Sequence, residues 1–263
     1  MMTNDKNGKT LLAQERRKRI LELIQEEGSA RVTRLSELFE VSEPTIRQDL
    51  EALDQQGFVT REHGGAFLRT VSRQVSELTL QHMEHMDKKS LIAKKAAEFV
   101  RPSDRIILDS GSTVTELAKC LAGAQGLVVI TNALNIALII GANPACELMV
   151  TGGDFKAPTL SLTGEKAAAF FRNIYVDKLF LATGGISPSF ELTYPGYSDL
   201  AVKKAMIDAA KEIYLLADST KFGVASFASL GSIDCVDAVV TDSGIDDETR
   251  RQLDALGVKL IIA

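Results

Sequence analysis

The chain has 263 residues, 45% of them hydrophobic, 25% charged and 6% aromatic, and 30 Lys plus Arg against 35 Asp plus Glu give a formal net charge of -5. This balance excludes a disordered, fibrous or membrane-embedded chain and is long enough for two domains. Net acidity argues at first against a nucleic-acid partner, but a whole-chain charge conceals how the charges are distributed.

The N-terminus (MMTNDKNGKT) is polar and lacks the apolar core of a secretory signal, so a cytoplasmic location is expected. The periodicity predicts a helix from about Leu12 to Glu27, with Ile20, Leu23 and Ile24 as its apolar stripe and Gly28 ending it. Thr33 reads as the N-cap of a short second helix with Leu35, Leu38 and Phe39 facing inward. Val41 lies in a tight turn, Ser42 caps a third helix, and Pro44 occupies its first turn, where a missing N–H costs nothing. Ile46, Leu50 and Leu53 share one face of that helix, which leaves Glu43, Thr45, Arg47 and Gln48 on the other. Gly57 to Phe67 reads as a small β-hairpin, with Gly64-Gly65 allowing positive φ or close approach to a phosphate backbone. Two helices, a tight turn, an Arg-bearing third helix and a hairpin form a winged helix-turn-helix pattern, whose third helix enters the major groove.

Residues 1–70 hold 11 basic and 12 acidic side chains, so cation placement matters more than net charge. Arg16, Arg17, Lys18 and Arg19 are consecutive, and Arg31, Arg47 and Arg61 lie at helix starts or in the wing. These residues, with Ser42, Thr45, Gln48, His63 and Gly64, form the expected DNA-contact set. Thr45 and Gln48 are placed to read base edges, and Arg47 reaches phosphate or guanine. The alternative for Arg47 is an ion pair with Glu43 or Glu51, each four residues away.

The string Val41-Ser42-Glu43-Pro44-Thr45-Ile46-Arg47-Gln48-Asp49-Leu50, with Leu53, Gly57 and Arg61-Glu62-His63-Gly64-Gly65-Ala66, resembles the DNA-binding domain of the DeoR family of bacterial sugar-metabolism regulators. Gln48 departs from the family, which usually carries a second Arg there.

Residues 70–90 are polar and read as a linker between a DNA-binding domain at 1–69 and a ligand domain at 91–263. From Ile106 onward, β-branched runs recur at 106–108, 128–130, 148–150, 179–181, 213–216, 238–240 and 259–262. Helical patterns separate most of them, as an α/β domain with a buried parallel sheet requires. The longest apolar-rich stretch, 133–145, is broken by Asn135, Gly141, Asn143 and Pro144 and is too short for a membrane span. Cys120, Cys146 and Cys235 are odd in number and far apart, so they read as buried small residues, and neither a metal site nor a cofactor is expected.

Most of the runs end in small polar residues or glycine, where an open α/β sheet binds ligands and helix N-termini suit anions. Asp109, Gly111, Ser112 and Thr113 form the phosphate-loop candidate. Thr131, Asn132, Gly152, Gly153, Gly184, Asp199 and Asp218 line the remaining ends, and Lys203 and Lys221 add cations. The order of these segments is similar to the DeoR-family effector domain. That resemblance implies a fold shared with ribose-5-phosphate isomerase and glucosamine-6-phosphate deaminase, a phosphorylated sugar as effector, and a homo-oligomeric repressor of a carbohydrate operon. Tyr194-Pro195-Gly196 looks like the amino-sugar and hexitol branch. The rival reading is a sugar-phosphate isomerase or deaminase; all three histidines precede the sheet, and an isomerase has no use for a DNA-binding domain, so no turnover is expected.

Overall fold

The computed structural model describes residues 3–4, 10–11, 13–27, 29–55, 58–62, 64–68 and 84–263. The chain divides into two compact units, Met1–Gln81 and His82–Ala263.

In the first unit the helix Ala13–Glu27 buries Ile20 and Ile24 completely. The second helix, Val32–Phe39, starts earlier than a Thr33 cap requires. Arg31 holds the cap position because it ends the strand Ser29–Arg31 and passes straight into the helix, leaving Thr33 in the first turn. Leu35 and Phe39, four apart, are buried, whereas Leu38 falls on the flank and is 45% exposed, so it does not belong to the inner face. The third helix, Glu43–Gln55, begins after Ser42, whose hydroxyl meets the Thr45 hydroxyl at 2.9 Å. Its Ile46, Leu50 and Leu53 are all buried; each contributes ~1.5–3 kcal/mol of hydrophobic stabilisation.

The expected hairpin, Val59–Glu62 with Gly65–Leu68, is the outer part of a three-stranded antiparallel sheet completed by Ser29–Arg31. The two turn glycines do different work. Gly64 has φ +90, while a Cβ on Gly65 would lie 2.5 Å from the Ala30 carbonyl oxygen. Gly65 therefore permits strand approach rather than phosphate approach.

The second unit is built on a seven-stranded parallel sheet in the order Lys259–Ile262, Ala238–Thr241, Ala210–Leu216, Val176–Ala182, Arg105–Leu108, Val128–Thr131, Glu147–Val150. Each strand contains one of the β-branched runs. Alternate residues feed two cores: Ile107, Leu179, Leu181 and Leu215 pack on one face with Val202 and Met206, and Ile106, Leu108, Phe180 and Val240 on the other with Ile92, Val114 and Ile136. A three-stranded antiparallel sheet of Gly185–Ile186, Glu191–Tyr194 and Ala228–Ser232 is an addition that no β-branched run signals.

The helix Met86–Ala97 starts within the 70–90 stretch read as a linker; its first turn is charged, and the apolar Ile92, Ala93 and Ala96 come later. Cys120 is exposed rather than buried, Cys146 and Cys235 are half-buried, and all three are free. Among the described residues no helix is long and apolar enough to cross a membrane, and no cluster of His, Cys, Asp or Glu could hold a metal.

Candidate functional site

In the first unit the structure separates the arginines. Arg16, at 2% exposure, donates to Asp49 at 2.5 Å, and Arg17, half-buried, donates to the other Asp49 oxygen at 2.9 Å. The expectation that Arg16 contacts DNA is corrected: its guanidinium ties the first helix to the third. In the sequence Asp49 stands out only as part of a motif, because its partners lie 32 and 33 residues away. Arg47 and Gln48 are exposed on the third helix, where Arg47 pairs with Glu43 at 2.5 Å. Such an exposed pair is worth only ~0.3–0.5 kcal/mol, so Glu43 holds Arg47 only weakly. Arg61 on the wing lies 3.7 Å from Glu51, and Arg31 is half-buried where strand meets helix. Ser42 and half-buried Thr45 engage each other at the helix start, and Gly64 turns the wing. His63 lies outside the described residues.

In the second unit the chain leaves the strand Arg105–Leu108 toward one sheet edge, then returns to its other side with Val176–Ala182. The topological switch point lies between these strands, and the phosphate-loop candidate begins there. Asp109, fully buried, accepts from the backbone N–H groups of Ser110 at 2.7 Å and Ala182 at 2.9 Å, and from the Lys203 ammonium. Burial pushes the Asp109 carboxyl above the usual range, with Lys203 opposing the shift. A Cβ on Gly111 would lie 2.5 Å from that of Ala182, so only glycine lets the loop close on the neighbouring strand. Ser112 then opens the helix Ser112–Cys120, with Thr113 buried beneath it. Lys203 also lies 5.3 Å from the centre of the Tyr194 ring. Burial, with Asp109 and Asp199 adding negative charge, raises the Tyr194 hydroxyl well above its ordinary value, and that hydroxyl donates to the Ala182 carbonyl at 2.8 Å.

One helical turn before Lys203, Asp199 accepts from Lys156 at 2.5 Å. Lys156 joins this charged group and gives no signal in the sequence, because its partner is 43 residues away and it sits in a short hairpin of Asp154–Lys156 with Ser161–Thr163. Gly152 and Gly153 lead into this hairpin, and a Cβ on Gly153 would meet the Thr163 carbonyl at 2.6 Å. A Cβ on Gly184 would lie 3.0 Å from Pro195 Cδ, Ser226 Oγ and the Thr193 carbonyl oxygen.

A second charged group gathers at the ends of Ala210–Leu216 and Ala238–Thr241. Lys88 donates to Ser219 at 2.8 Å and pairs with Asp242 at 3.1 Å. Burial alone pushes Asp242 up. The N–H groups of Ser219 and Gly244, the Lys88 ammonium and the Ser219 hydroxyl outweigh that push and hold the carboxyl at about 2. Burial pushes the Lys89 ammonium down; Asp218 opposes the shift and Lys221 adds to it.

Buried polar atoms without a hydrogen-bond partner mark the same edge. Among the described residues these include Asn132 Oδ1, Thr151 Oγ1, Asp218 Oδ2 and Thr241 Oγ1, each at the end of a parallel strand. Leaving such a group unmade costs ~1–3 kcal/mol, which a polyhydroxylated ligand or water recovers. Thr131 is different: its hydroxyl donates to Leu108 at 2.7 Å and accepts from Ala133 at 3.0 Å, so it pins the strand end. A groove of about 440 Å³ lies elsewhere, between the C-terminal parts of the helices Gly164–Phe170 and Ser198–Ala209. It lies where the strands Val176–Ala182 and Ala210–Leu216 begin, away from these groups.

A winged three-helix unit followed by a doubly wound unit with a polar switch point defines a DNA-binding transcriptional regulator with a ligand-sensing domain. A family model described as the DeoR-like helix-turn-helix domain matches residues 16–71, and one described as the DeoR C terminal sensor domain matches 84–243. The chain belongs to the DeoR family. It is 33% identical over 252 residues to the uncharacterized HTH-type transcriptional regulator YulB of Bacillus subtilis, spanning 95% of this chain and 96% of that one. It is 30% identical over 250 residues to the putative aga operon transcriptional repressor of Escherichia coli O157:H7, spanning 94% and 93%. With the HTH-type transcriptional repressor CsqR of Escherichia coli K12 it shares 32% identity over 232 residues, 88% of each chain. A ribose-5-phosphate isomerase structure in complex with phospho-erythronic acid overlays 53% of this chain and 55% of its own at 16% identity and a TM-score of 0.40, a likeness too low to carry argument.

Proposed function

We propose that this regulator represses a carbohydrate-utilisation operon in the cytoplasm and that a phosphorylated sugar releases it from its operator. The observation carrying this reading is the row of buried, partnerless polar atoms along the strand ends, flanked by Lys88, Lys89, Lys156, Lys203 and Lys221. Sugar hydroxyls suit Asn132 and Asp218, which follow the strands on either side of the two switch-point strands, and a phosphate suits the Ser112 helix start and the nearby ammonium groups. Relatives named as repressors, one of them for the aga operon, support the repressor direction. Turnover is not expected, because both oxygens of Asp109, the acid at the switch point, are already occupied.

A thermal-shift panel of glucose 6-phosphate, glucosamine 6-phosphate, fructose 1-phosphate, ribose 5-phosphate and the free sugars tests the reading. A phosphorylated member stabilises the protein while its free sugar does not. Equal responses to both forms, or none, contradict a sugar-phosphate effector.

A further inference from the structure

Residues 120–146 form a 27-residue run without a single Asp, Glu, Lys or Arg, in a chain that is 25% charged. Burial does not explain it, since the run supplies much exposed surface. Leu138 is 79% exposed, and Leu134, Gly141, Ala142, Pro144 and Ala145 are exposed as well. The pieces adjoin: Asn143 Nδ2 donates to the Ala124 carbonyl at 2.6 Å, and the Gly126 N–H to the Ala145 carbonyl at 2.9 Å, which binds both loops to the end of the helix Leu134–Gly141. Charge returns only at the margins, with the Lys119–Glu116 pair and Glu147. An uncharged centre inside a charged rim is the anatomy of a protein interface, and it offers nothing to DNA or to a sugar phosphate.

We propose that this face is the contact between two copies of this chain, related by a two-fold axis passing near Leu138. A two-fold contact places the same patch on both sides and must be complementary to itself. On this helix Ile136 and Ile140 point into the core, so Leu138 stands on the opposite side, with Leu134 one turn before it and Ala142 one turn after. Crossing two such helices antiparallel sets Leu138 against its counterpart and each Leu134 against the small Gly141–Ala142 end, so large residues meet small ones. A surface without charges gains nothing from a partner of opposite sign, which favours a second copy over a charged protein. The eight-residue helix is only ~12 Å long, so the loops must contribute to the ~800 Å² a stable contact needs from each partner.

Sedimentation velocity on the full chain tests the proposal without reference to any sugar. Leu138→Glu halves the assembly mass, from dimer to monomer or from tetramer to dimer, while far-UV circular dichroism stays unchanged, because the side chain is outside the core. Leu138→Cys forms an intersubunit disulfide on mild oxidation above the wild-type background, and Leu256→Cys, exposed beside the opposite edge of the sheet, does not. A monomeric wild type, an unchanged mass for Leu138→Glu, or no excess crosslink for Leu138→Cys overturns it; an unchanged mass with lowered thermal stability assigns the face to another segment of the same chain.

Discussion

Asp49 sits at 1% exposure with an arginine on each carboxylate oxygen. Removing one partner of a buried ion pair costs ~3–5 kcal/mol, because the remaining charge stays buried and uncompensated. Asp49→Ala therefore unfolds the N-terminal unit, seen in chemical denaturation as the loss of its transition while the sensor transition is retained. Asp242 makes a pH-dependent contribution. Its carboxyl is held at about 2 against an ordinary 3.8, so the folded state favours the ionised form. That stability is fully present above the ordinary carboxylate value and is lost as pH falls through about 2. The stability gap between wild type and Asp242→Asn, measured by denaturant titration, is therefore constant near neutrality and closes below about pH 4. None of these roles is legible along the chain: Arg16 and Asp49 are 33 residues apart and Lys156 and Asp199 are 43 apart, so only the folded topology pairs them.

At the scale of elements the sequence is far more informative. All seven parallel strands are visible as short apolar runs; inner strands such as Val176–Ala182 and Ala238–Thr241, buried on both faces, leave little room for polar alternation, while the edge strand Glu147–Val150 is apolar though partly exposed. The third strand of the wing is hidden because Ser29-Ala30-Arg31 is too short to show a period, and the helix Met86–Ala97 because its first turn is charged. That helix receives the chain from the DNA-binding side, and its Lys88 grips Ser219 and Asp242 beside Asp218 and Lys221. A ligand at the 218–221 turn, as proposed above, would compete with a contact that holds the start of the helix. Lys88→Met is expected to keep operator binding in the absence of sugar phosphate but to lose most of the effector response in a DNA-binding titration. On the third helix, Arg47→Ala lowers operator affinity by ~5- to 150-fold without changing the melting profile, measured by gel shift.

For the whole molecule the charge of -5 takes on a different meaning. Residues 71–263 carry 19 basic and 23 acidic side chains, so most of the acidity lies in the sensor, and the DNA-binding unit is nearly neutral. A near-neutral unit binds random DNA weakly, and its specific complex depends on a few phosphate contacts, hence on salt. The proposed regulation rests on linkage between sugar phosphate and operator. Its most direct test is fluorescence anisotropy of the full chain on a duplex obtained by bound-sequence selection, at fixed salt, with and without the sugar phosphate giving the largest thermal shift. A coupling of ~1–3 kcal/mol predicts that operator affinity falls 5- to 150-fold when the sugar phosphate is present. An affinity unchanged at saturating sugar phosphate would contradict the account.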